Sequence, residues 1–289
     1  MRRQLLFIFL FSSALGVFGQ VTKEPARSEK EVKATEKTDS TKKEPSYFKA
    51  EISYLSNSVY NGRKDSIVVP YVTAQLGYYD NSGLYITSSL SYLANSTGRI
   101  DLVTVEGGYD FAIGKNFTGE LYASKYFYNK NSTAVTSQIK GMLGSSLSYD
   151  AGFLSFGGGI DLAFSQQSDI IVNYTVSHPF RFGSDSSIWT IEPSFKSNFG
   201  TQKYYEAQKK AKKNGGSATK ITGSTAFVVL DYEFSLPLSY DTKKWGFSFT
   251  PSFAIPVNPI SLTKPNGSIF LQEKLSNVFY AELGFNIKF

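Results

Sequence analysis

The stretch Phe279-Tyr280-Ala281-Glu282-Leu283-Gly284-Phe285-Asn286-Ile287-Lys288-Phe289 alternates without a fault. Phe279, Ala281, Leu283, Phe285, Ile287 and Phe289 fall on one face; Tyr280, Glu282, Gly284, Asn286 and Lys288 fall on the other. Successive side chains of a strand point to opposite faces, so this period of two predicts a β-strand with one apolar and one polar side.

The same texture recurs upstream. Val228, Leu230, Tyr232, Phe234, Leu236 and Leu238 oppose Asp231, Glu233 and Ser235; Trp245, Phe247, Phe249, Phe253 and Ile255 oppose Gly246, Ser248, Thr250, Ser252 and Ala254. Val103, Val105, Tyr109, Phe111 and Ile113 oppose Thr104, Glu106, Gly108 and Asp110. Breaks at Asn, Asp, Gly and Ser clusters divide residues 47–289 into twelve expected strands: 47–56, 66–79, 84–94, 102–113, 117–128, 138–149, 153–164, 169–180, 187–199, 225–240, 245–256 and 277–289. The one helix-like piece, Glu206 to Lys213, is mostly charged and polar and sits in a connection.

Two segments precede this body. Residues 1–19 read as a secretory signal peptide: Arg2 and Arg3, an apolar run from Leu5, then Val17 and Gly19 ahead of the cleavage point. Residues 20–46 are rich in Lys, Glu, Thr and Ser, with no aromatic between Val21 and Pro45. They bury too little apolar surface to offset ordering entropy, and read as a disordered charged leader.

Composition narrows the function. With no cysteine, disulfides, thiolate metal sites and thiol nucleophiles are excluded. A single histidine, His178, leaves no His-rich metal site, so neither metal nor cofactor is expected. The 24 Phe and 19 Tyr, with 24 Gly, fit an all-β chain.

A soluble sandwich also alternates, so other features must decide. The strands run from ten to sixteen residues, the length a tilted membrane strand needs and more than soluble strands usually have. Links after the even strands are short, as in Asp80-Asn81-Ser82-Gly83 and Gly114-Lys115-Asn116. Links after the odd strands are mostly longer, up to 25 residues over 200–224, with the 165–168 link the exception. Tyr47, Tyr54, Tyr78, Tyr79, Tyr92, Tyr126, Tyr128, Tyr149 and Tyr240 cluster near strand ends, where interfacial girdles lie. The expected fold is a transmembrane up-and-down antiparallel β-barrel of about twelve strands over 47–289.

The terminal Phe289, preceded by Ile287, Phe285, Leu283 and Ala281 with Tyr280 facing the lumen, resembles the closing strand of Gram-negative outer-membrane β-barrel proteins. The resemblance covers about ten residues. It implies an outer-membrane location, contact with outer-membrane lipids and lipopolysaccharide, and Tyr280, Phe285, Ile287 and Phe289 as a signal read by the barrel-assembly machinery.

With the apolar face outward, Glu51, Glu106, Asp110, Glu120, Asp161, Glu192, Lys196, Asp231, Glu233 and Glu282 line the lumen, together with Lys49, Lys140 and Lys288. These charges net to −5 and would favour cations in an open pore. The same residues also suit an internal ion-pair network closing a narrow barrel, since twelve strands lie between filled and open barrels. Lumen glycines at 77, 108, 144, 157, 159, 246 and 284 suit sheet curvature or open space. Lys203, Lys209, Lys210, Lys212, Lys213 and Lys220 against Glu206 make the 200–224 loop a local basic patch of +5, suited to lipopolysaccharide phosphates. No binding fold or aromatic platform accompanies it, so no nucleic-acid partner is expected.

Catalysis is not expected. Twelve-stranded outer-membrane phospholipases pair a Ser and a His two residues apart; after His178 stand Pro179 and Phe180. Ser177 is adjacent, on the opposite face of a strand. The sequence therefore points to a small porin-like channel for passive passage of hydrophilic solutes. The alternative is a closed barrel with a structural or surface-interaction role through its long loops. Oligomeric state is left open.

Overall fold

The alternating stretches are strands in a computed structural model that describes residues 45–65, 67–95, 98–184, 186–203, 220–222, 225–263 and 269–289. The signal peptide expected over 1–19 and nearly all of the leader lie outside the described residues, as do Lys209, Lys210, Lys212, Lys213 and the helix-like 206–213 piece.

Twelve antiparallel strands close into a barrel. They are β1 (Tyr47–Leu55), β2 (Tyr71–Tyr79), β3 (Leu84–Leu93), β4 (Arg99–Ile113), β5 (Phe117–Tyr128), β6 (Gly141–Asp150) and β7 (Ser155–Phe164). Then follow β8 (Asp169–Ser177 and Phe180–Ser184), β9 (Ser187–Ile191 and Ser194–Gly200), β10 (Val228–Ser235 and Leu238–Thr242), β11 (Trp245–Pro256) and β12 (Val278–Lys288). Each pairs with its sequence neighbour, and β12 also pairs with β1, with Lys288 opposite Lys49 and Leu283 opposite Tyr54. The last residue completes the seam: Phe289 N–H donates to the Phe48 carbonyl at 2.9 Å, and Phe48 N–H donates back at 3.3 Å.

The apolar face of each strand is the outer one. Phe48, Ile52, Leu76, Ile86, Leu90, Leu121, Phe234 and Phe285 are exposed, while Ser53, Thr73, Thr87, Ser89, Ser91 and Asn286 on alternate positions are buried inside. Exposed large apolar side chains ring the barrel, a surface that suits hydrocarbon rather than water. Among the described residues no helix is long and apolar enough to cross a membrane. At the short-turn end the ring is aromatic. Phe48 meets Tyr78 at 5.0 Å between ring centres, Phe117 meets Tyr149 at 4.7 Å, and Trp189, Tyr240, Trp245 and Phe285 form a chain of contacts across β9–β12.

Three strands are interrupted without any slip of register. Ser177 opposite Ser194 and Phe180 opposite Ile191 belong to one register, and the same continuity holds across β9–β10 and β10–β11. The interruptions come from proline. His178 N–H donates to the Pro193 carbonyl (3.2 Å), Glu192 to Pro237 (2.9 Å) and Leu236 to Pro251 (3.0 Å). In each case the reciprocal bond is missing because proline has no N–H. Prolines normally avoid interior strands; here Pro179, Pro193, Pro237 and Pro251 form a line across four adjacent ones.

Two β-bulges re-aim side chains. Ser91 faces Leu102 and Tyr92 faces Ile100, so Asp101 is the extra residue of β4 and is buried. Asn198 faces Asp231 and Phe199 faces Val229, so Leu230 is the extra residue of β10. Read from simple alternation, Leu230 belongs with the outward set; the bulge buries it completely instead.

The expected second strand began at 66, but β2 begins at Tyr71. Residues 56–65 and 67–70 belong to a loop carrying a small hairpin, in which Val59–Tyr60 pairs with Arg63–Lys64. Its turn is Asn61-Gly62 with φ of 49° and 72°, the left-handed pair that a two-residue hairpin requires. Above β9–β12, Lys220–Thr222, Ser261–Thr263 and Ile269–Gln272 form a separate three-stranded sheet.

Candidate functional site: the barrel lumen

The lumen charges are sorted into groups by strand pairing. On β4–β7, Asp110 stands opposite Glu120, and the Tyr85 hydroxyl lies between Glu106 (3.1 Å) and Glu120, with its shorter bond to Glu120. Ser124 Oγ donates to Glu106 at 2.5 Å, and the Tyr122 hydroxyl donates to Asp161. On the other wall Lys196 Nζ lies 3.1 Å from Glu233, whose second oxygen accepts the Tyr280 hydroxyl at 2.6 Å. Asp231 stands two residues along from Glu233, opposite Asn198 and wholly buried. At the β1–β12 seam Glu51 pairs with Lys49 at 3.4 Å, and Glu282 is half-buried opposite Leu55. Glu192 stands apart from these, accepting from Ser177 Oγ at 2.7 Å.

The inner wall is thus lined by carboxylates held by tyrosine and serine hydroxyls, with lysine partners on one side. Hydrogen bonding of this kind fixes each acid in place and leaves a charged, polar interior. The lumen glycines do not simply leave room. A Cβ on Gly108 would meet the Tyr85 ring at 2.6 Å, and one on Gly144 would meet the Tyr122 ring at 2.5 Å and the Asp161 carboxylate more closely still. Gly77, Gly108 and Gly144 are seats for the rings of Tyr79, Tyr85 and Tyr122, whereas Gly157, Gly246 and Gly284 face shorter polar side chains such as Ser148, Asp241 and Ser248.

The mouth at the long-loop end is narrowed from within. The hairpin of the first loop turns inward: Val59, Tyr60, Asn61 and Arg63 are all buried. Its tip reaches β10 and β11, where a Cβ on Gly62 would lie 2.6 Å from Asp231 Cβ and 3.0 Å from Pro256. Arg63 anchors it. Its guanidinium donates to the carbonyls of Val257 (3.2 Å), Asn258 (3.1 Å) and Asn61 (3.2 Å), and lies 3.4 Å from Glu273. Tyr60 belongs to one apolar cluster with Tyr85, Leu102, Tyr122, Tyr126, Ile139, Met142, Ile171 and Leu230, drawn from strands on several sides of the lumen. The loop after β5 joins it, with Ala134, Thr136, Ser137 and Ile139 buried and Tyr128 bonded to Thr136 at 2.5 Å.

A second knot ties the rim. Asp101, turned inward by its bulge, accepts from Tyr71 (2.6 Å) and Ser132 (2.5 Å) and pairs with Arg99 at 2.8 Å. Alternation alone places neither Asp101 nor Arg63 at the site. The Asn-Gly dipeptide signals the hairpin turn, but nothing local says that the hairpin enters the barrel.

Of the basic loop, Lys203 donates from Nζ to the Ser168 carbonyl at 3.1 Å, and Lys220 opens the outer three-stranded sheet opposite Thr263. Lys140 is exposed at the head of β6. Of the closing-strand residues, Tyr280 faces the lumen and is buried, while Phe285, Ile287 and Phe289 are exposed on the outer surface. His178 Nδ1 contacts the Phe153 carbonyl, opposite which Pro179 supplies no donor, and its ring packs edge-on against Phe180 at 4.2 Å.

No family model matches the chain, and no curated protein matches it in sequence. Solved structures similar to it include a KdgM porin, at 9% identity over 83% of this chain and 99% of that one, with a TM-score of 0.47. LpxR from Salmonella typhimurium is 10% identical over 83% of this chain and 99% of that one, with a TM-score of 0.46. An outer membrane channel from Pseudomonas putida F1 is 9% identical over 85% of this chain and 96% of that one, with a TM-score of 0.45. All three matches are at very low identity, and none bears on what this lumen does.

Proposed function

We propose that the chain is a Gram-negative outer-membrane β-barrel of porin-like type, passing small hydrophilic solutes through a polar lumen. One observation carries this: the closed barrel turns its apolar side chains outward and its carboxylates, hydroxyls and lysines inward. That arrangement suits a wall between lipid and a wet interior. The acids of β4–β7 and β10 make cations the favoured solutes. Outer-membrane lipid and lipopolysaccharide surround it, and the barrel-assembly machinery inserts it by way of Phe289. No step of catalysis is assigned to any residue.

The inward hairpin favours a second reading, a closed barrel acting through its loops. Conductance of the refolded protein in a planar lipid bilayer separates the two. Discrete ion-carrying steps are expected; a silent bilayer for every form of the chain selects the closed barrel. The protein should fractionate with the outer membrane and shift its gel mobility on boiling, whereas recovery in the soluble periplasmic fraction overturns both readings.

A further inference from the structure

We propose that the first-loop hairpin is a displaceable gate for the channel proposed above, held shut by an Arg63 latch. The proposal rests on that channel reading and adds how the mouth opens. The hairpin is a self-contained unit. Its rungs Val59–Lys64 and Tyr60–Arg63 are its own, Ser58 N–H donates to the Val69 carbonyl at 2.9 Å, and Asn57 Oδ1 accepts from Val69 N–H at 2.9 Å across its neck. It therefore keeps its shape when it leaves the wall.

Its hold on the opposite wall is local. Among the described residues no backbone ladder joins the hairpin to a barrel strand. Arg63 reaches across the mouth to the Val257 and Asn258 carbonyls and to Glu273, all beyond the end of β11. A latch made by one side chain to loop acceptors releases in one step; a ladder does not.

The seat beneath the tip opposes closure. The Asn61 side-chain amide, Asn198 Oδ1 and Gln202 Oε1 are buried there with no hydrogen-bond partner among the described residues. Gln202 Nε2 reaches the same Asn258 carbonyl that Arg63 uses, at 3.4 Å, which places these groups around the latch. Polar atoms buried without partners penalise the closed position, and lifting the hairpin hydrates them. Burial of Val59 and Tyr60 and the Arg63 bonds act the other way. Opposed contributions of this kind give two positions close in free energy, which is what a gate requires.

Four forms of the full-length mature chain test this in planar bilayers. Replacing residues 58–65 with two glycines should give a steadily open channel. Wild type should step between that level and a closed one. Arg63→Ala should raise the open fraction on the order of tenfold, the effect of losing hydrogen bonds to a charged group. The fourth form, Gly62→Cys with Asp231→Cys, locks the tip. The chain has no other cysteine, and the 2.6 Å Cβ separation needs about 1 Å of relaxation to reach disulfide geometry. Its oxidised state should be silent and regain stepping when a reductant is added. That comparison is made on one molecule, so a folding defect cannot imitate it. A wild type and an Arg63→Ala form that share one open fraction, with an oxidised pair that conducts like the reduced one, overturn the gate while leaving the channel standing. A silent deletion form removes the channel reading, and the gate with it.

Discussion

At the scale of single residues the structure shows which polar groups do more than line a surface. Asp80, in the turn between β2 and β3, accepts from the Ser82 hydroxyl and N–H and from the Ser46 hydroxyl, and these bonds hold its pKa at about 2. An unfolded Asp titrates at about 3.9. The folded value is the lower one, so the turn's contribution is fully present above about pH 4 and is lost as pH falls through about 2. Asp80→Asn should flatten acid sensitivity in that window, read by tryptophan fluorescence of the refolded barrel, and a wild-type Asp80 carbon resonance titrating near 4 would contradict the assignment. Gly144 makes a different point. A side chain there collides with the Tyr122 ring and Asp161. Gly144→Val should destabilise the barrel by about 1–3 kcal/mol, the usual cost of overpacking, measured by urea unfolding in lipid vesicles; Gly114→Val, at a glycine with open space around it, is not a fair control because its φ is 67°.

Elements behave less independently than their sequences suggest. The closing strand has a flawless period, yet its last residue matters through a bond to the first strand: Phe289 and Phe48 exchange backbone hydrogen bonds at the seam. Those bonds survive a side-chain change, so Phe289→Ser leaves the seam's backbone able to form while removing an exposed aromatic from the outer rim. Folded outer-membrane yield should fall several-fold with secretion intact. An unchanged yield in a pulse-chase assay assigns Phe289 no part in assembly. Alternation was enough to find β8, β9 and β10 as long strands, because register runs unbroken through Pro179, Pro193 and Pro237. It did not reveal that these prolines, with Pro251, line up across the sheet, since alignment depends on the stagger between strands.

For the whole molecule, the balance of lumen charge sets the expected selectivity. Lys196 is paired with Glu233 and Lys49 with Glu51, while Glu106, Glu120 and Asp161 are held by tyrosine or serine hydroxyls. Neutral donors leave the negative charge in place, so an open lumen should prefer cations. Reversal potentials of the hairpin-deleted form in a salt gradient read this directly. Anion preference that persists after the 200–224 loop is also removed would show that the wall charges do not govern passage. What the sequence determined by itself is the architecture of the wall. A period of two, repeated twelve times between turn residues, specifies strands, their inward and outward faces and the short-turn end, because side-chain direction in a strand is a local property. What only the tertiary structure decided is the state of the interior. Whether Tyr85 and Tyr122 pack against glycines, whether Asp101 and Leu230 turn inward at bulges, and whether the Asn61-Gly62 hairpin projects outward or enters the mouth beside Asp231 all depend on atoms far away in the chain. These contacts form across the lumen, between strands whose separation in space no local pattern encodes.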